Sequence, residues 1–336
     1  MKGRKKEHLE ISISKDVQCS YNYWDDITLL HNALPEIDMK EIDTTWKEFG
    51  KEMKAPIIIA GMTGGFKEAE IINESLAKIA EKYQIGMGVG SQRAGLEDEK
   101  VVKSYSIIAE YNIPLKIANV GAPQLLEWEN PVEMAEKAIK MIKADVLAIH
   151  LNFLQESIQV EGDRIAKGCL KKIEEVASSL STPVIVKETG AGISSDVAKK
   201  LLKTDIVGID IGGMGGTSFA AIEAYRAKKR GDKIQEELGH IFWDWGIPTP
   251  YSLIEIAEIC KDAGMVIIAT GGIRNGLDVA RAIALGADAA GIASALITSN
   301  SAEEKMEICM RSLKTAMFLT GCKSIKELKD VEVWID

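Results

Sequence analysis

The chain has 336 residues and a formal net charge of −9, and it has no low-complexity tract or long Pro-rich linker. That length supports a full hydrophobic core, and the acidic balance argues against a general nucleic-acid binder, whose surface must be basic. Small anionic ligands stay open, because they need only local positive charge. The five cysteines (Cys19, Cys169, Cys260, Cys309 and Cys322) are scattered without a C-x-x-C, so neither a disulfide framework nor a zinc site is indicated. No apolar run follows the basic start, and none elsewhere is long enough to cross a bilayer, which predicts a cytoplasmic protein without a membrane partner.

Residues 1–50 read as an N-terminal arm and cap: Arg4, Lys5 and His8 on a mobile arm, then a helix carrying Tyr21, Tyr23, Trp24, Ile27, Leu29 and Leu30. From residue 55 short β-branched runs alternate with helical patterns, the mark of βα units and a parallel sheet. Strands are predicted at Pro56–Ala60, Ile85–Val89, Leu115–Asn119, Asp145–His150, Pro183–Lys187, Ile206–Asp210, Val266–Thr270 and Ala289–Ala293. Helical spacing fills the gaps at Glu68–Tyr83, Pro131–Ile142, Leu253–Ala263 and Leu277–Leu285. Eight strands with interleaved helices predict one α/β domain over 1–336, a (β/α)8 TIM barrel with an N-terminal extension. Residues 211–265, between strands six and seven, are too many for one crossover helix and predict a long insertion or lid around Gly239–Pro250.

Barrel ligands bind where the strands end, and here those ends collect ligand-type residues. Strand one ends in Gly61-Met62-Thr63-Gly64-Gly65, strand two in Gly90-Ser91-Gln92-Arg93 and strand three in Asn119-Val120-Gly121. Strand four runs into His150-Leu151-Asn152-Phe153-Leu154-Gln155-Glu156, where imidazole, amides and a carboxylate gather. Such a set can bind a proton, a divalent cation or a phosphorylated ligand. Strand five ends in Lys187-Glu188-Thr189-Gly190, and strand six in Gly212–Ser218. Gly215-Gly216-Thr217-Ser218, Gly271-Gly272-Ile273-Arg274 and Ser294-Ala295 look like phosphate cradles, with backbone N–H groups and hydroxyls free to meet an anion. Each G-x-G-x-x-S run lacks the third glycine of a dinucleotide fingerprint, and no P-loop occurs. Two anion positions therefore point to two phosphorylated ligands. A flavin mononucleotide suits strands six to eight, with Lys187 at its pyrimidine edge, and a second phosphate ester suits strands one to four, with Mg²⁺ on Glu156.

Taken in order, Met62-Thr63-Gly64-Gly65, Gly90-Ser91-Gln92-Arg93, His150-x-Asn152-x-x-Gln155-Glu156, Glu161-Gly162-Asp163, Gly215–Ser218, Trp245–Thr249 and Gly271–Arg274 resemble the type 2, flavin-dependent isopentenyl-diphosphate isomerases. The resemblance implies reversible conversion of isopentenyl diphosphate to dimethylallyl diphosphate, in isoprenoid biosynthesis. It implies reduced FMN as the acid and base without net redox change, NADPH as reductant, Mg²⁺ on the diphosphate, and a homo-oligomer (dimer, tetramer or octamer). Carried over, Gln155 is catalytic and also touches substrate, and Glu156 binds the metal. Ser91, Arg93, His150 and Asn152 hold the diphosphate, with Arg4 and Lys5 closing over it. Ala60, Gly61, Met62, Thr63, Ser91, Asn119, Lys187, Thr217, Gly271, Arg274, Ala293, Ser294 and Ala295 hold FMN. The family more often carries Pro at the positions of Phe153 and Val160, which implies a change in loop stiffness and not in chemistry. Gln155 is a poor acid, so the flavin N5 is the expected proton donor, with Gln155 orienting the alkene.

The alternative is an FMN-dependent barrel oxidoreductase, such as a 2-hydroxy-acid oxidase or an enzyme like inosine-monophosphate dehydrogenase. The first wants a late His base, and His240 is the only His after His150. The second wants a Cys in the strand-six loop, and Gly212–Ser218 has none.

Overall fold

The computed structural model describes residues 2–336, and its centre is a closed barrel of eight parallel strands. Before the barrel come β1 (Ile27–Leu29) and a hairpin of β2 (Trp46–Glu48) and β3 (Lys51–Met53). The barrel strands are β4 (Ile57–Ile59), β5 (Gly86–Gly88), β6 (Lys116–Gly121), β7 (Val146–Leu151), β8 (Val184–Glu188), β9 (Gly208–Asp210), β10 (Val266–Thr270) and β11 (Ala289–Ile292). Each pairs with the next in sequence, and β11 closes on β4, with Ala290 opposite Ile57. All eight predicted strands are present within two residues of their predicted ends. The helices Glu68–Tyr83 and Pro131–Ile142 match the predicted bounds. Among the described residues, no helix is long and apolar enough to cross a membrane.

The barrel interior is filled from below by Ile58, Ile117, Ala148, Ile185 and Ile268, with Trp46 and Met53 of the hairpin packed against them. A larger apolar layer between strands and helices includes Ile59, Ile149, Val186 and Ile209, the residues of opposite parity. Alternation thus buries both faces of each strand, as a parallel sheet requires.

Two expectations for the first 50 residues are corrected. The basic arm is a helix, Lys2–Ser14, lying against the mouth of the barrel. Its sequence is rich in charge and lacks an apolar stripe, so periodicity alone did not reveal it. The predicted helix from Tyr21 is instead a short 3-10 turn, Tyr23–Asp26, running into β1. β1 then pairs antiparallel with β12 (Val333–Ile335), a partner more than 300 positions away that no local pattern announces. The 211–265 segment holds the helices Phe219–Arg230 and Lys233–Ile241 before the crossover helix Thr249–Asp262. Gly239 lets the first two pack closely, since a Cβ there would sit 2.6 Å from the Ala224 methyl. Trp243 donates from Nε1 to the Gln18 carbonyl at 2.9 Å and so anchors the arm, whereas Trp245 is 60% exposed.

Candidate active site

At the C-terminal ends of the strands lies a cavity of about 550 Å³, roofed by the N-terminal helix through Arg4, Lys5, His8, Leu9 and Ser12. Its walls bring together Ala60, Gly61, Met62, Thr63, Ser91, Arg93, Asn119, His150, Asn152, Gln155, Glu156, Lys187, Thr217, Gly271, Ala293 and Ser294. Two predicted residues are not among them. Ala295 lies just behind Ser294 in a short helix. Arg274 turns outward: its guanidinium bonds both carboxylate oxygens of Asp25 and also Asp278. Those bonds hold the Arg274 pKa above the usual arginine range, so this side chain braces the turn and does not face the cavity.

One half of the cavity is built for a polyanion. Lys5 Nζ donates to the Ser91 carbonyl and to Tyr105 Oη, both neutral oxygens. Burial first, and the nearby Arg4 and Arg93 charges after it, lower its pKa to about 7 against the pull of Glu97. His150 Nδ1 lies 2.8 Å from Asn119 Oδ1. Asn119 uses its own Nδ2 as donor to Val89 O, so its oxygen is an acceptor and His150 Nδ1 carries the proton. Burial, then Lys187 and Lys5, push the His150 pKa down to about 3, so the ring is neutral. Arg93 is held by Glu97, Glu127 and Asp163 at 2.9, 2.9 and 3.0 Å. Lys5, lowered in pKa and bonded only to neutral oxygens, is a group whose charge an arriving anion would restore.

Beside this half, Glu156 is 4% exposed and accepts from Asn152 Nδ2 at 2.8 Å, from the Asp163 N–H at 2.8 Å and from Gln159 Nε2 at 3.3 Å. The amide oxygens Asn152 Oδ1 and Gln159 Oε1 are buried without partners. A carboxylate with spare amide oxygens is the donor set of a hard cation, and these residues fit Mg²⁺. Among the described residues no cluster of three or more His, Cys, Asp or Glu is arranged for a metal, so phosphate and water oxygens would complete the shell. Glu161 does not join it. Burial raises its pKa, but bonds from Arg226 and Arg230 outweigh this and set it at about 2, which makes Glu161 a loop brace. Gln155 donates from Nε2 to Glu223 Oε1 at 3.2 Å, and His8 Nε2 lies 2.8 Å from the same oxygen. Glu223 also pairs with Arg226, which is 2% exposed.

The other half is glycine-rich for a physical reason. Gly271 has φ +119°, and a Cβ there would sit 2.2 Å from Gly213 O. A Cβ on Gly216 would sit 2.8 Å from Gly272 N. Asn22 and Trp24 clamp this turn by donating to the Gly272 and Gly271 carbonyls, each at 2.8 Å. Side chains here would strike the neighbouring backbone, so the turns pack closely and leave their peptide groups bare to the cavity, and Lys187 stands in the same wall. The cradle fits the phosphate and ring of FMN.

Asp210, Glu223 and Tyr105 were given no role by the sequence reading, and Glu188 and Thr270 were seen only as strand-end residues, since each is a single residue given a role only by barrel closure or by a distant helix. Glu188 is the clearest case. Burial raises its pKa to about 7 although the N–H groups of Ala191, Gly190 and Thr189 all favour its charge. No cysteine lines the cavity among the described residues, and His240 stacks on Trp243 away from it.

This barrel, with a phosphate cradle after its sixth to eighth strands and a lysine at the end of the fifth, is that of the FMN enzymes. Residues 156–335 match the family of FMN-dependent dehydrogenases. A mandelate oxidase solved with (S)-mandelic acid superposes with a TM-score of 0.67 over 98% of this chain and 94% of its own, at 15% identity, which is likeness of fold. An isopentenyl-diphosphate delta-isomerase of Archaeoglobus fulgidus is 45% identical over 338 residues, covering 99% of this chain and 95% of that protein. One of Methanosarcina mazei is 47% identical, over 98% of this chain and 91% of its own. The chain belongs to the isopentenyl-diphosphate delta-isomerase family, in its FMN-dependent class.

Proposed function

We propose that this chain interconverts isopentenyl and dimethylallyl diphosphate, using FMN reduced by NADPH and one Mg²⁺ on the diphosphate. The observation that carries this reading is the joining of the two halves: a cationic pocket with a buried Glu156 opens onto the wall that holds Lys187 and the glycine cradle. Reduced FMN, when bound, supplies an electron-rich surface and an acid–base group to the alkene. The protein's part is binding and orientation. Arg4, Lys5, Ser91, Arg93 and His150 take the diphosphate, and Asn152 with Glu156 holds the cation on it. The Lys2–Ser14 helix excludes water by covering the cavity, and Arg4 and Lys5 reach it from the same chain.

Gln155 is fixed by Glu223 and so presents its amide to the reacting carbons without itself moving a proton. His150 has Nδ1–H tied to Asn119, so its Nε2 can donate to a phosphate oxygen only in the protonated ring. Diphosphate binding therefore draws a proton onto His150. Lys187 would hold the cofactor from the cavity wall and stabilise negative charge on it when it is reduced. The free thiols suit a reducing cytoplasm as the place of action.

The test is turnover of isopentenyl diphosphate with FMN, Mg²⁺ and excess NADPH, followed by NMR. Dimethylallyl diphosphate should appear only after the flavin is reduced, with far less than one NADPH consumed per turnover. Stoichiometric NADPH consumption without the isomer would replace this reading with an oxidoreductase.

A further inference from the structure

Below the large cavity, inside the barrel, lies a second one of about 20 Å³. Lys187, Thr270 and Asn119 line both spaces, so the small cavity lies directly beneath the floor of the large one. Asp210 lines only the small one. It is 6% exposed, and its Oδ1 has no hydrogen-bond partner. Thr270 Oγ1, in the same wall, has none either. Asp210 and Lys187 are register partners on β9 and β8 and so share the inner face, where the lysine Nζ donates to the neutral Glu188 carbonyl at 2.9 Å and its charge faces Asp210 without a direct bond. A space of this size holds one water, and the two unpartnered oxygens with the lysine are the polar partners such a water needs.

A carboxyl group buried so deeply is answered by a cation or by a proton. Burial pushes the Asp210 pKa up, and Lys187 first, then Thr270 and the backbone of Gly212, pull it back down, so the lysine is the largest but not the sole support of its charge. The other titratable groups nearby are accounted for. His150, the register partner of Lys187 on β7, is neutral, and Glu188 is turned to the amides of 189–191.

We propose that Asp210 is a positioning residue for Lys187, a counter-charge that competes with the pyrimidine edge of the flavin for the lysine ammonium. It thereby sets how strongly the site favours reduced over oxidised FMN. In the oxidised holoprotein Lys187 answers Asp210. On reduction the flavin anion takes the lysine, and Asp210 accepts a proton from solvent through the internal water. This inference rests on the flavin reading of the cavity.

The experiment measures the midpoint potential of bound FMN in the holoprotein and in Asp210→Asn. The isosteric amide leaves Lys187 wholly to the flavin. Preference for reduced over oxidised FMN should rise about tenfold, an upward shift of about 30 mV for a two-electron couple. In a Lys187→Met background the same substitution should change nothing. Bound FMN with a potential shifted less than about threefold in preference overturns the inference alone. Failure of the purified protein to bind FMN overturns the flavin reading and the inference with it. Reduced-minus-oxidised infrared spectra of the unsubstituted holoprotein, with ¹³C-labelled aspartate, supply a second readout that does not depend on a variant folding. A protonated carboxyl band should be gained on reduction, and an unchanged carboxyl region overturns the proposal.

Discussion

Two layers of the same barrel make opposite use of the same strands. The lower inner layer is Ile58, Ile117, Ala148, Ile185 and Ile268, closed from beneath by Trp46 and Met53. Two residues further along each strand, roughly 7 Å higher, stand Ala60, Asn119, His150, Lys187 and Thr270. Strand parity places both sets inside, yet only the lower one follows from burial of hydrocarbon. The upper set buries charge and amide groups that an apolar layer would have avoided at a gain in stability. The upper layer is therefore the ligand's, and the lower layer is the fold's.

That division can be broken from either side. Glu156→Gln should cut Mg²⁺-dependent turnover by at least about a hundredfold, since loss even of a metal's supporting partners costs 10–100-fold. Its thermal midpoint should hardly move, and a large fall in stability with normal turnover would erase the distinction. In the lower layer, Ile117→Ala should destabilise by about 2–5 kcal/mol in urea titration, with turnover per folded molecule kept within about threefold.

Protons sharpen the comparison further. The unfolded chain protonates His150 below about 6.5, whereas the folded chain resists until about 3. Stability should therefore fall as pH drops through that window. For Lys5 the folded value is about 7 against 10.5, so the unfolded state holds the extra proton between them and stability should rise with pH there. Diphosphate restores the lysine's charge. Calorimetry at about pH 8, in buffers of different ionisation enthalpy, should show proton uptake on diphosphate binding that Lys5→Met lowers, the remainder going to His150. The smallest effect is expected outside the cavity. Arg274→Ala should leave the affinity for FMN within about twofold, because its guanidinium meets Asp25 and Asp278 and not the cavity, while taking a partner from the fully buried Asp278 should cost about 1–3 kcal/mol of stability.

Much of this was legible beforehand, and the exceptions share a cause. The barrel could be read because each strand carries its own apolar run and each crossover its own helix period. Most of the mouth could be read because its residues cluster at strand ends, as with His150, Asn152, Gln155 and Glu156. The outward pairing of the Arg274 side chain could not be read because its partner Asp25 lies 249 positions away. Asp210 was read only as the end of a strand, since nothing local distinguishes it until Lys187 arrives from the neighbouring strand. The hairpin that plugs the barrel, Trp46–Met53, is too short and too charged to announce itself.

The roof over the cavity has one apolar foothold, Ile11 against Val17, Ala221 and Ile222. Lys5 adds its bonds to the Ser91 carbonyl and Tyr105 Oη, and the other fastenings are ion pairs, Glu7 to Arg226, Lys229 and Arg230, and Lys6 to Glu68. Fastenings of this kind are weakened by dissolved ions, whose screening length falls from about 10 Å at 0.1 M to about 3 Å at 1 M. The barrel beneath, held by hydrocarbon, is indifferent to that change. Raising ionic strength should therefore loosen the exposed Lys6–Glu68 and Lys229–Glu7 ties of the cover before it touches the fold.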